Sequence, residues 1–260
     1  MFFSRGLIGA NSKGESAVEV SASTLSLNGS SQYLTIGDNA DLGTNDISMA
    51  IWVKTSVDVD ADTFISKEGD TGGWYALRVE PSGKPRFAIG EDGSNYRNYD
   101  TTSVTVDDDA WHLLGVSYDR SSDTCIFYVD GSAVATTLLS SAGSVTSSNI
   151  QSSAACNIGN RAAGSGSLYA TGDTALALIS FTVLTSSDFL ELYNDGTPKQ
   201  PWLLNTALKD STELLLPIND QTNSNQYSDY SGNGNDATAT GSPTLTGAAL
   251  TIVNSSDKGP

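Results

Sequence analysis

The chain has 260 residues and a formal net charge of −17, with its 13 basic residues scattered rather than clustered. Without a basic patch to hold phosphates we expect no nucleic acid partner, and without an apolar run near the ~20 residues of a membrane span we expect no membrane insertion. A chain of this length can bury enough surface to fold as one large β domain with short arms, without needing a metal or a disulfide.

Residues 1–22 are polar and show no steady hydrophobic period. A segment of this kind becomes ordered only against another surface, so we expect residues 1–22 to be an arm that anchors the chain to its neighbours. Arg5 interrupts the opening apolar residues before they reach signal-peptide length, and we therefore expect no secretion signal.

From Leu25 onward, apolar and polar residues alternate in short runs, which is the two-residue period of half-buried strands. Asn28 and Gly29 tolerate positive φ and predict a hairpin between the runs 25–27 and 33–36. Later runs, separated by further turn signals, are 74–79, 86–89, 113–118 and 125–129. Many short strands at regular spacing predict an all-β, two-sheet antiparallel sandwich over residues 23–196.

The core of this sandwich is predicted from the same alternation. It places the aromatic residues Trp52, Trp111 and Phe127 between the two facing sheets. Cys125 and Cys156 lie in separate strand-like segments and are interpreted as small core residues rather than as a disulfide, since nothing indicates an oxidising compartment.

One short helix is predicted after Thr185. Thr185 and Asp188 form a T-x-x-D capping box, Phe189 begins an apolar face, and Gly196 followed by Pro198 ends the segment. The pattern supports about two turns of helix.

The last part of the chain, residues 197–260, is predicted to be an extension that completes or flanks the sandwich. Within it, residues 213–218 have a strand pattern, and residues 228–242 are rich in Asn, Gly and Asp, which is typical of a loop.

Several of these segments resemble the laminin G-like, concanavalin A-like jelly-roll family. Trp111 and His112 open a strand that ends in an aromatic residue, and residues 127–131 follow as a Phe-Tyr-Val-Asp-Gly hairpin. Matching segments are 27–34, 47–54, 109–119, 157–159 and 192–196. The resemblance implies a jelly roll, a role in adhesion or recognition, commonly of glycans, and a module of the style found on phage particles.

The sequence departs from this family at two places. Residues 172–178 stand where members often carry Gly-x-Ile-Asp, which leaves a metal site that depends on that aspartate without support. The run 229–235 resembles a piece that usually begins such domains, whereas here it comes near the end of the sequence.

Catalytic patterns are poorly represented. A glycoside hydrolase of this architecture would show paired carboxylates as Glu-x-Asp-x-x-Glu on one strand, and no such string occurs. His112 is the single histidine and opens a strand, where a structural position at the rim is favoured over a catalytic one. Residues 164–167 lack the following helix of a nucleophile elbow, so a non-enzyme is predicted.

Calcium is the one cofactor that the sequence suggests, and none is required. Asp229 and Asn233 belong to a run that matches the first half of an EF-hand loop, although a plain Asx-rich turn explains the same residues. Asp58, Asp60 and Asp62 alternate, so in an extended segment their carboxylates would share one face and favour a cation, unless solvent relieves the repulsion.

Candidate glycan-binding residues are aromatic and lie near turns, because sugar C–H groups stack on exposed rings. The best constellation is Tyr96, Arg97 and Tyr99, and Trp74 after two glycines is the second. An alternative interpretation places these rings in the core.

Two functions remain from this reasoning. The first is a non-catalytic structural protein on the surface of a virus particle, such as a phage decoration or fibre protein, with homo-oligomers, other particle proteins, and glycans or a host cell surface as partners. The alternative is a free extracellular carbohydrate-binding module or accessory domain. A glycoside hydrolase is the least favoured.

Overall fold

The computed structural model describes residues 24–56, 60–69, 72–163, 166–218, 221–223 and 225–246. The predicted arm, residues 1–22, and Asp58 lie outside these ranges. The first strands are β1 (Thr24–Asn28), β2 (Tyr33–Gly37), β3 (Ile47–Lys54), β4 (Asp62–Lys67), β5 (Trp74–Val79), β6 (Pro85–Asp92), β7 (Asn95–Thr101), β8 (His112–Asp119), β9 (Thr124–Val129) and β10 (Ser132–Val134).

The remaining elements follow in chain order. They are β11 (Thr136–Ala142), β12 (Cys156–Ile158), β13 (Asn160–Ala163), β14 (Gly166–Tyr169), β15 (Thr171–Ser180), α1 (Ser186–Tyr193), α2 (Thr206–Asp210), β16 (Thr212–Leu216), β17 (Gln221–Asn223), β18 (Gln226–Tyr227), β19 (Ala237–Thr240) and β20 (Thr244–Thr246). None of the described helices is both long and apolar enough to cross a membrane.

The strands form two large antiparallel sheets. Sheet A has the order β10-β9-β8-β3-β15-β1-β20, with β16 paired to β15. Sheet B has the order β11-β7-β6-β5-β4-β12-β2-β19-β18-β17, and β13 and β14 form a separate hairpin. The predicted all-β jelly-roll sandwich is confirmed.

The Asn28–Gly29 turn forms, but the predicted hairpin is wrong. β1 pairs with β15 and β20 in sheet A, whereas β2 pairs with β12 and β19 in sheet B. The Asn28 side chain accepts hydrogen bonds from the backbone of Ser30 and Ser31, and the Gly29 N–H donates to the carbonyl of Ala170. The turn therefore carries the chain from one sheet to the other.

The main core lies between the two sheets. Alternate residues of the sheet A strands point into it, among them Met49, Ile51 and Phe127, and they meet Tyr75 and Leu77 from sheet B. Phe127 has no exposed surface, as predicted. Each strand of this pair thus contributes one face to a shared apolar layer.

Trp52 and Trp111 were predicted between the sheets, and this is wrong. Trp52 is 1% exposed but lies in a second apolar cluster on the outer face of sheet A, and Trp111 packs against the same cluster. The Trp52 ring stacks on Tyr193 of α1 at a centroid distance of 5.7 Å. β3 is buried on both faces. Its sequence therefore indicates a strand but does not indicate which of its two alternating sets of side chains faces sheet B.

The second cluster is closed by the helical segment that covers the outer face of sheet A. Phe189 of α1 stacks on Tyr128 of β9 with the ring centroids 4.0 Å apart. Gly115 makes room for it, since a Cβ at this position would lie 2.4 Å from Phe189 Cε1. The sheet therefore has an apolar layer on each face.

Helix α1 begins as predicted. The backbone N–H of Thr185, the residue before the helix, donates to the Asp188 carboxylate at 2.8 Å. Asn194 follows the helix with a left-handed backbone, and the helix ends there. The structure adds a second, one-turn helix, α2, whose N-cap Asn205 accepts a hydrogen bond from the Leu208 N–H.

Residues after 197 contribute strands to both sheets. β16 pairs with β15, β20 pairs with β1, and β19 pairs with β2 in the register Thr238↔Thr35. The prediction of a continuous loop over 228–242 is therefore wrong for β19. Its Ala-Thr-Ala-Thr sequence carries little apolar signal, and only the long-range pairing with β2 makes it a strand.

Both cysteines are free and buried, as predicted. They belong to the core between the sheets. Burial raises the pKa of the Cys156 thiol to about 12, so this thiol remains protonated at neutral pH.

Candidate functional site

Two aromatic side chains flank a glycine on the outer face of sheet B. The register aligns Trp74 of β5 with Gly90 of β6, and Gly90 with Tyr96 of β7, so all three share one face. Their neighbours Tyr75 and Leu77 point the other way, into the core. Trp74 and Tyr96 are partly exposed, and we call them the aromatic pair.

Gly90 lets the Trp74 ring lie flat across β6. A Cβ at this position would lie 2.3 Å from Trp74 Cζ2. Because adjacent strands are about 4.8 Å apart, the backbones of the aromatic pair are roughly 10 Å apart, and the Trp74 ring covers Gly90 between them. The pair forms an aromatic surface that crosses the strands.

Tyr99 does not join Tyr96, contrary to the predicted platform. The segment is a strand, in which residues three positions apart face opposite sides. Tyr99 is 6% exposed and belongs to the core between the sheets, and its hydroxyl contacts Asp123. Tyr96 and Trp74 are the candidate glycan residues that the structure brings together.

Arg97 is buried in an ion pair rather than presented on the surface. Its Nε and Nη2 donate to the Asp123 carboxylate at 2.8 and 2.7 Å, and its Nη1 donates to the carbonyls of Ala142 and Gly143. Burial acts to raise the pKa of Asp123, but the hydrogen bonds from Arg97 and Tyr118 outweigh it and the pKa is lowered. Arg97 thus ties β7 to the β8–β9 turn.

Beside the aromatic pair, the outer face of sheet B carries a group of side chains with buried polar atoms that have no hydrogen-bond partner among the described residues. We call this group the polar cluster. It comprises Thr63 Oγ1, Glu68 Oε2, Arg78 Nε, Glu80 Oε1, Asn157 Oδ1, Asn160 Oδ1 and Arg161 Nε. Four of these atoms form ion pairs with each other, since Arg78 Nε lies 3.7 Å from Glu80 Oε1 and Arg161 Nε lies 3.5 Å from Glu68 Oε2. The oxygens of Thr63, Asn157 and Asn160 are fully buried, and buried oxygens of this kind are normally satisfied by ordered water.

The charges of this face are unusual for a sheet. Arg78 and Arg86 lie directly opposite each other on β5 and β6, an arrangement that repels. Two carboxylates relieve the repulsion. Arg86 donates to Asp100 at 2.6 Å, and Glu80 lies 2.8 Å from Arg86 and 3.7 Å from Arg78. Burial lowers the pKa of Arg78, which shows how far this cation is removed from water.

Two members of the predicted aspartate triplet, Asp60 and Asp62, lie within the described residues. Asp62 is 4% exposed, and its carboxylate accepts from the Thr55 hydroxyl at 2.6 Å and from the Thr171 N–H at 2.9 Å. Burial raises its pKa. Asp60 is exposed, and Asp58 lies outside the described residues. Asp62 therefore serves as an internal hydrogen-bond acceptor between the sheets.

The Asp229 loop is organised by its own hydrogen bonds. One Asp229 oxygen accepts from the N–H groups of Leu215 and Ser231, and the other from the Ser231 hydroxyl and the Asn235 N–H. The Asn233 side chain donates to backbone carbonyls of β16. These contacts are those of an Asx-rich turn fastened to a strand.

Within the described ranges, no group of three or more His, Cys, Asp or Glu side chains is arranged to hold a metal ion. Calcium binding at Asp229 and Asn233, or at the aspartates around residue 60, stays a prediction. An ion at Asp229 would have to compete with four donors that already occupy its carboxylate.

His112 lies between two carboxylates at the rim of sheet A. Its Nδ1 is 2.9 Å from Asp130 and its Nε2 is 3.1 Å from Asp108. The hydrogen bond with Asp130 contributes most to raising the pKa of His112. Both ring nitrogens are thus engaged with aspartates, which is a structural arrangement.

Sequence reasoning missed the polar cluster, although part of its signal was present. Trp74, Arg78 and Glu80 occur at even spacing along β5, and this places them on one face. Asn157, Asn160 and Arg161 join them only through the pairing of β12 with β4 and the contact of the β13–β14 hairpin with β4. Such contacts between distant segments leave no local pattern.

A two-sheet antiparallel sandwich of this topology defines a jelly roll. A laminin G model described as "Concanavalin A-like lectin/glucanases superfamily" matches residues 28–189, and the chain belongs to that family. A comparison with curated proteins finds no match.

One solved structure supports the fold with a TM-score above 0.5. The chain is similar to a putative carbohydrate-binding protein from Bacteroides ovatus, with a TM-score of 0.58, 14% identity, 89% of this chain covered and 62% of that chain. It is also similar to a heptameric SAP-like pentraxin from Limulus polyphemus, with a TM-score of 0.49, 11% identity, and coverage of 66% of this chain and 82% of that one. A carbohydrate-binding module, CBM40, of a Ruminococcus gnavus sialidase bound to α2,3 sialyllactose has a TM-score of 0.49 and 11% identity, with 68% of this chain and 100% of that chain covered.

Proposed function

We propose that the chain is a non-catalytic carbohydrate-binding module and that the outer face of sheet B is its binding surface. The observation that carries this proposal is the alignment of Trp74, Gly90 and Tyr96 in one row across three strands. The name of the B. ovatus structure, a putative carbohydrate-binding protein, supports the same function.

The row of Trp74, Gly90 and Tyr96 has features that are typical of sugar-binding surfaces. The faces of pyranose rings carry C–H groups that pack on aromatic rings, and their hydroxyl groups need hydrogen-bond partners around the edge. The aromatic pair provides the packing surface. Arg86 and Asp100, which are partly exposed on the same face, provide polar groups beside it.

The absence of catalysis is part of this proposal. A glycoside hydrolase needs two carboxylates on either side of the scissile bond. On this face, Glu80 and Asp100 both contact Arg86, at 2.8 and 2.6 Å. The guanidinium occupies the space between the two carboxylates, where the sugar would have to lie.

Removing either ring of the aromatic pair tests the binding surface. We expect Trp74→Ala and Tyr96→Ala each to weaken glycan binding roughly fivefold to tenfold, because loss of a stacked ring costs about 1–1.4 kcal/mol. Calorimetric titration with glycans identified on an array is the measurement. Trp202→Ala is the matched control, since this ring packs against Tyr230 in the helical layer on the other side of sheet A. Equal losses in all three variants would contradict the assignment.

A place on the surface of a phage particle is the finer part of the proposal. It is supported by the polar sequence of residues 1–22, which suits an anchoring arm, and by the style of the sequence. In that setting the chain forms homo-oligomers and contacts other particle proteins. Mass measurement with and without residues 1–22 tests this: loss of an oligomer on truncation supports a particle component, and a monomer in both cases supports a free extracellular module.

A further inference from the structure

Strand β11 forms one edge of sheet B, and no strand among the described residues pairs with its outer side. Leu138 and Leu139 of this strand are 49% and 53% exposed, which makes them the most exposed large apolar side chains of the described strands. An open edge offers a row of backbone N–H and C=O groups to any strand that can approach it. The edge at β11 combines such a row with an apolar contact surface.

The sequence of β11 contains little that would keep another strand away. Edge strands are usually protected by charged side chains, prolines or bulges. β11 reads Thr-Thr-Leu-Leu-Ser-Ser-Ala, without a charge or a proline. A bulge interrupts its pairing with β7 between Leu138 and Ser140 and leaves Leu139 as the extra residue. The bulge therefore has an exposed leucine, rather than a charge, at the middle of the edge.

The distribution of charge favours this edge as a contact between copies of the chain. With a formal charge of −17, two copies repel each other over most of their surfaces. β11 belongs to the longest uncharged run of the sequence, residues 131–160, which also contains β10, the edge strand of sheet A. Only Ala135 separates β10 from β11, so the uncharged surface includes the edges of both sheets. A second copy can approach here without bringing like charges together.

The position of the leucines within β11 favours a second copy over an unrelated strand. Leu139 is the fourth of the seven residues of β11, and Leu138 precedes it. When two identical strands pair in antiparallel orientation, a two-fold axis relates them, and residues before the centre lie opposite residues after it. With the axis near Leu139, the leucines of the two copies contact each other. The two threonines at the start of β11 then lie opposite the small residues at its end.

We propose that two copies of the chain associate through β11, so that their B sheets join edge to edge into one continuous antiparallel sheet. The contact combines backbone hydrogen bonds along the two edges with burial of Leu138 and Leu139 of both copies. It is made by described residues alone. It therefore differs from an oligomer that is held by residues 1–22.

This association would place two aromatic pairs on one surface. The two-fold axis that relates antiparallel strands of a sheet is perpendicular to the sheet, so the outer faces of both B sheets lie on the same side. Tyr96 belongs to β7, the neighbour of β11, and the two copies of Tyr96 would be three strand spacings, about 14 Å, apart across the joined sheet. This consequence rests on the proposed carbohydrate-binding function, whereas the association itself does not.

Analytical ultracentrifugation of the full chain over a series of concentrations tests the association. We expect a dimer with a dissociation constant below about 100 μM. Amide hydrogen exchange on the same samples should show protection of residues 136–142 that increases with concentration. A chain that stays monomeric at this concentration, or a dimer in which residues 136–142 exchange as in the monomer, would overturn the inference. Glycan binding is measured separately, and a monomer that binds glycans would leave the proposed function standing.

The substitution Leu139→Glu tests the position of the contact. We expect it to raise the dissociation constant of the dimer at least about tenfold, because both copies lose an apolar contact and two like charges meet near the axis. Leu203→Glu is the matched control, since Leu203 is 45% exposed in the helical segment on the outer face of sheet A and gains the same charge. An unchanged dissociation constant in Leu139→Glu, or equal losses in both variants, would contradict the contact at β11.

The melting temperature shows whether Leu139→Glu acts on the contact or on the fold. Leu139 is exposed and is the extra residue of the bulge, so we expect the melting temperature of the monomer to stay unchanged. If Leu139→Glu unfolds the chain, Leu138→Thr replaces it, because threonine is favoured in strands and still removes the apolar contact. A dimer as stable in Leu138→Thr as in the native chain would then contradict the inference.

Discussion

His112 links two loops at the rim of sheet A, and the strength of this link depends on the charge of its imidazole ring. Its contacts with Asp130 and Asp108 raise its pKa in the folded state above the ordinary 6.5. The protonated ring therefore stabilises the fold fully below pH 6.5, and this stabilisation is lost as pH rises through the higher folded pKa.

This gives a pH-dependent prediction. The free energy of unfolding, measured with urea, should differ more between the native chain and His112→Gln at about pH 6 than at about pH 9, because glutamine does not titrate in this range. In a chain that carries Asp108→Asn, the effect of His112→Gln on the free energy of unfolding should depend less on pH, since one of the two carboxylates that contact His112 has lost its charge. A difference that grows toward alkaline pH would show that the neutral ring is the stabilising form.

Single residues also show where the site could be predicted. Trp74 and Tyr96 were identified from their aromatic character and nearby turns, and both lie on the outer face of sheet B. Tyr99 and Arg97 were grouped with Tyr96 because all three follow closely on the turn at residues 92–94. Once 95–101 is a strand, its two-residue period places them on the inner face. The error was one of secondary structure, not of residue chemistry.

The contact between α1 and sheet A depends on the absence of a side chain at Gly115. A methyl group there would lie 2.4 Å from the Phe189 ring, which itself is stacked on Tyr128 and cannot easily move. We expect Gly115→Ala to lower the free energy of unfolding by roughly 1–3 kcal/mol, as overpacking does. Urea or thermal unfolding is the measurement.

Gly93 provides the control for this substitution. It lies in the β6–β7 turn, and a Cβ there would meet nothing within 4 Å. Gly93→Ala should leave the free energy of unfolding nearly unchanged, within about 0.5 kcal/mol. If the two variants were equally stable, the close approach of α1 to β8 would be incorrect.

Elements with a local signature were predicted well, and those without one were not. Helix α1 could be predicted because the capping box that begins it and the residues that end it lie within a dozen positions of each other. β19 was interpreted as a loop, because its strand conformation depends on pairing with β2, about 200 residues earlier in the chain. The Asn28–Gly29 turn was predicted correctly, but the sequence around it does not indicate that the two strands it connects belong to different sheets.

At the scale of the whole molecule, strand number and alternation were enough to predict the sandwich. The prediction of one apolar layer was incomplete, because the helical segment adds a second layer behind sheet A. This layer holds Trp52, which is why the most prominent aromatic of β3 lies away from sheet B. In a strand that is buried on both faces, the sequence does not indicate which element each face will pack against.

The helical cover on sheet A has a consequence for how the chain would meet a target. With that side occupied by α1 and α2, the aromatic pair is presented in a single direction. A chain attached to a larger body would reach its target only when the uncovered sheet points away from the attachment. Orientation on the carrier, and not affinity alone, would then determine how many copies engage the same surface at once.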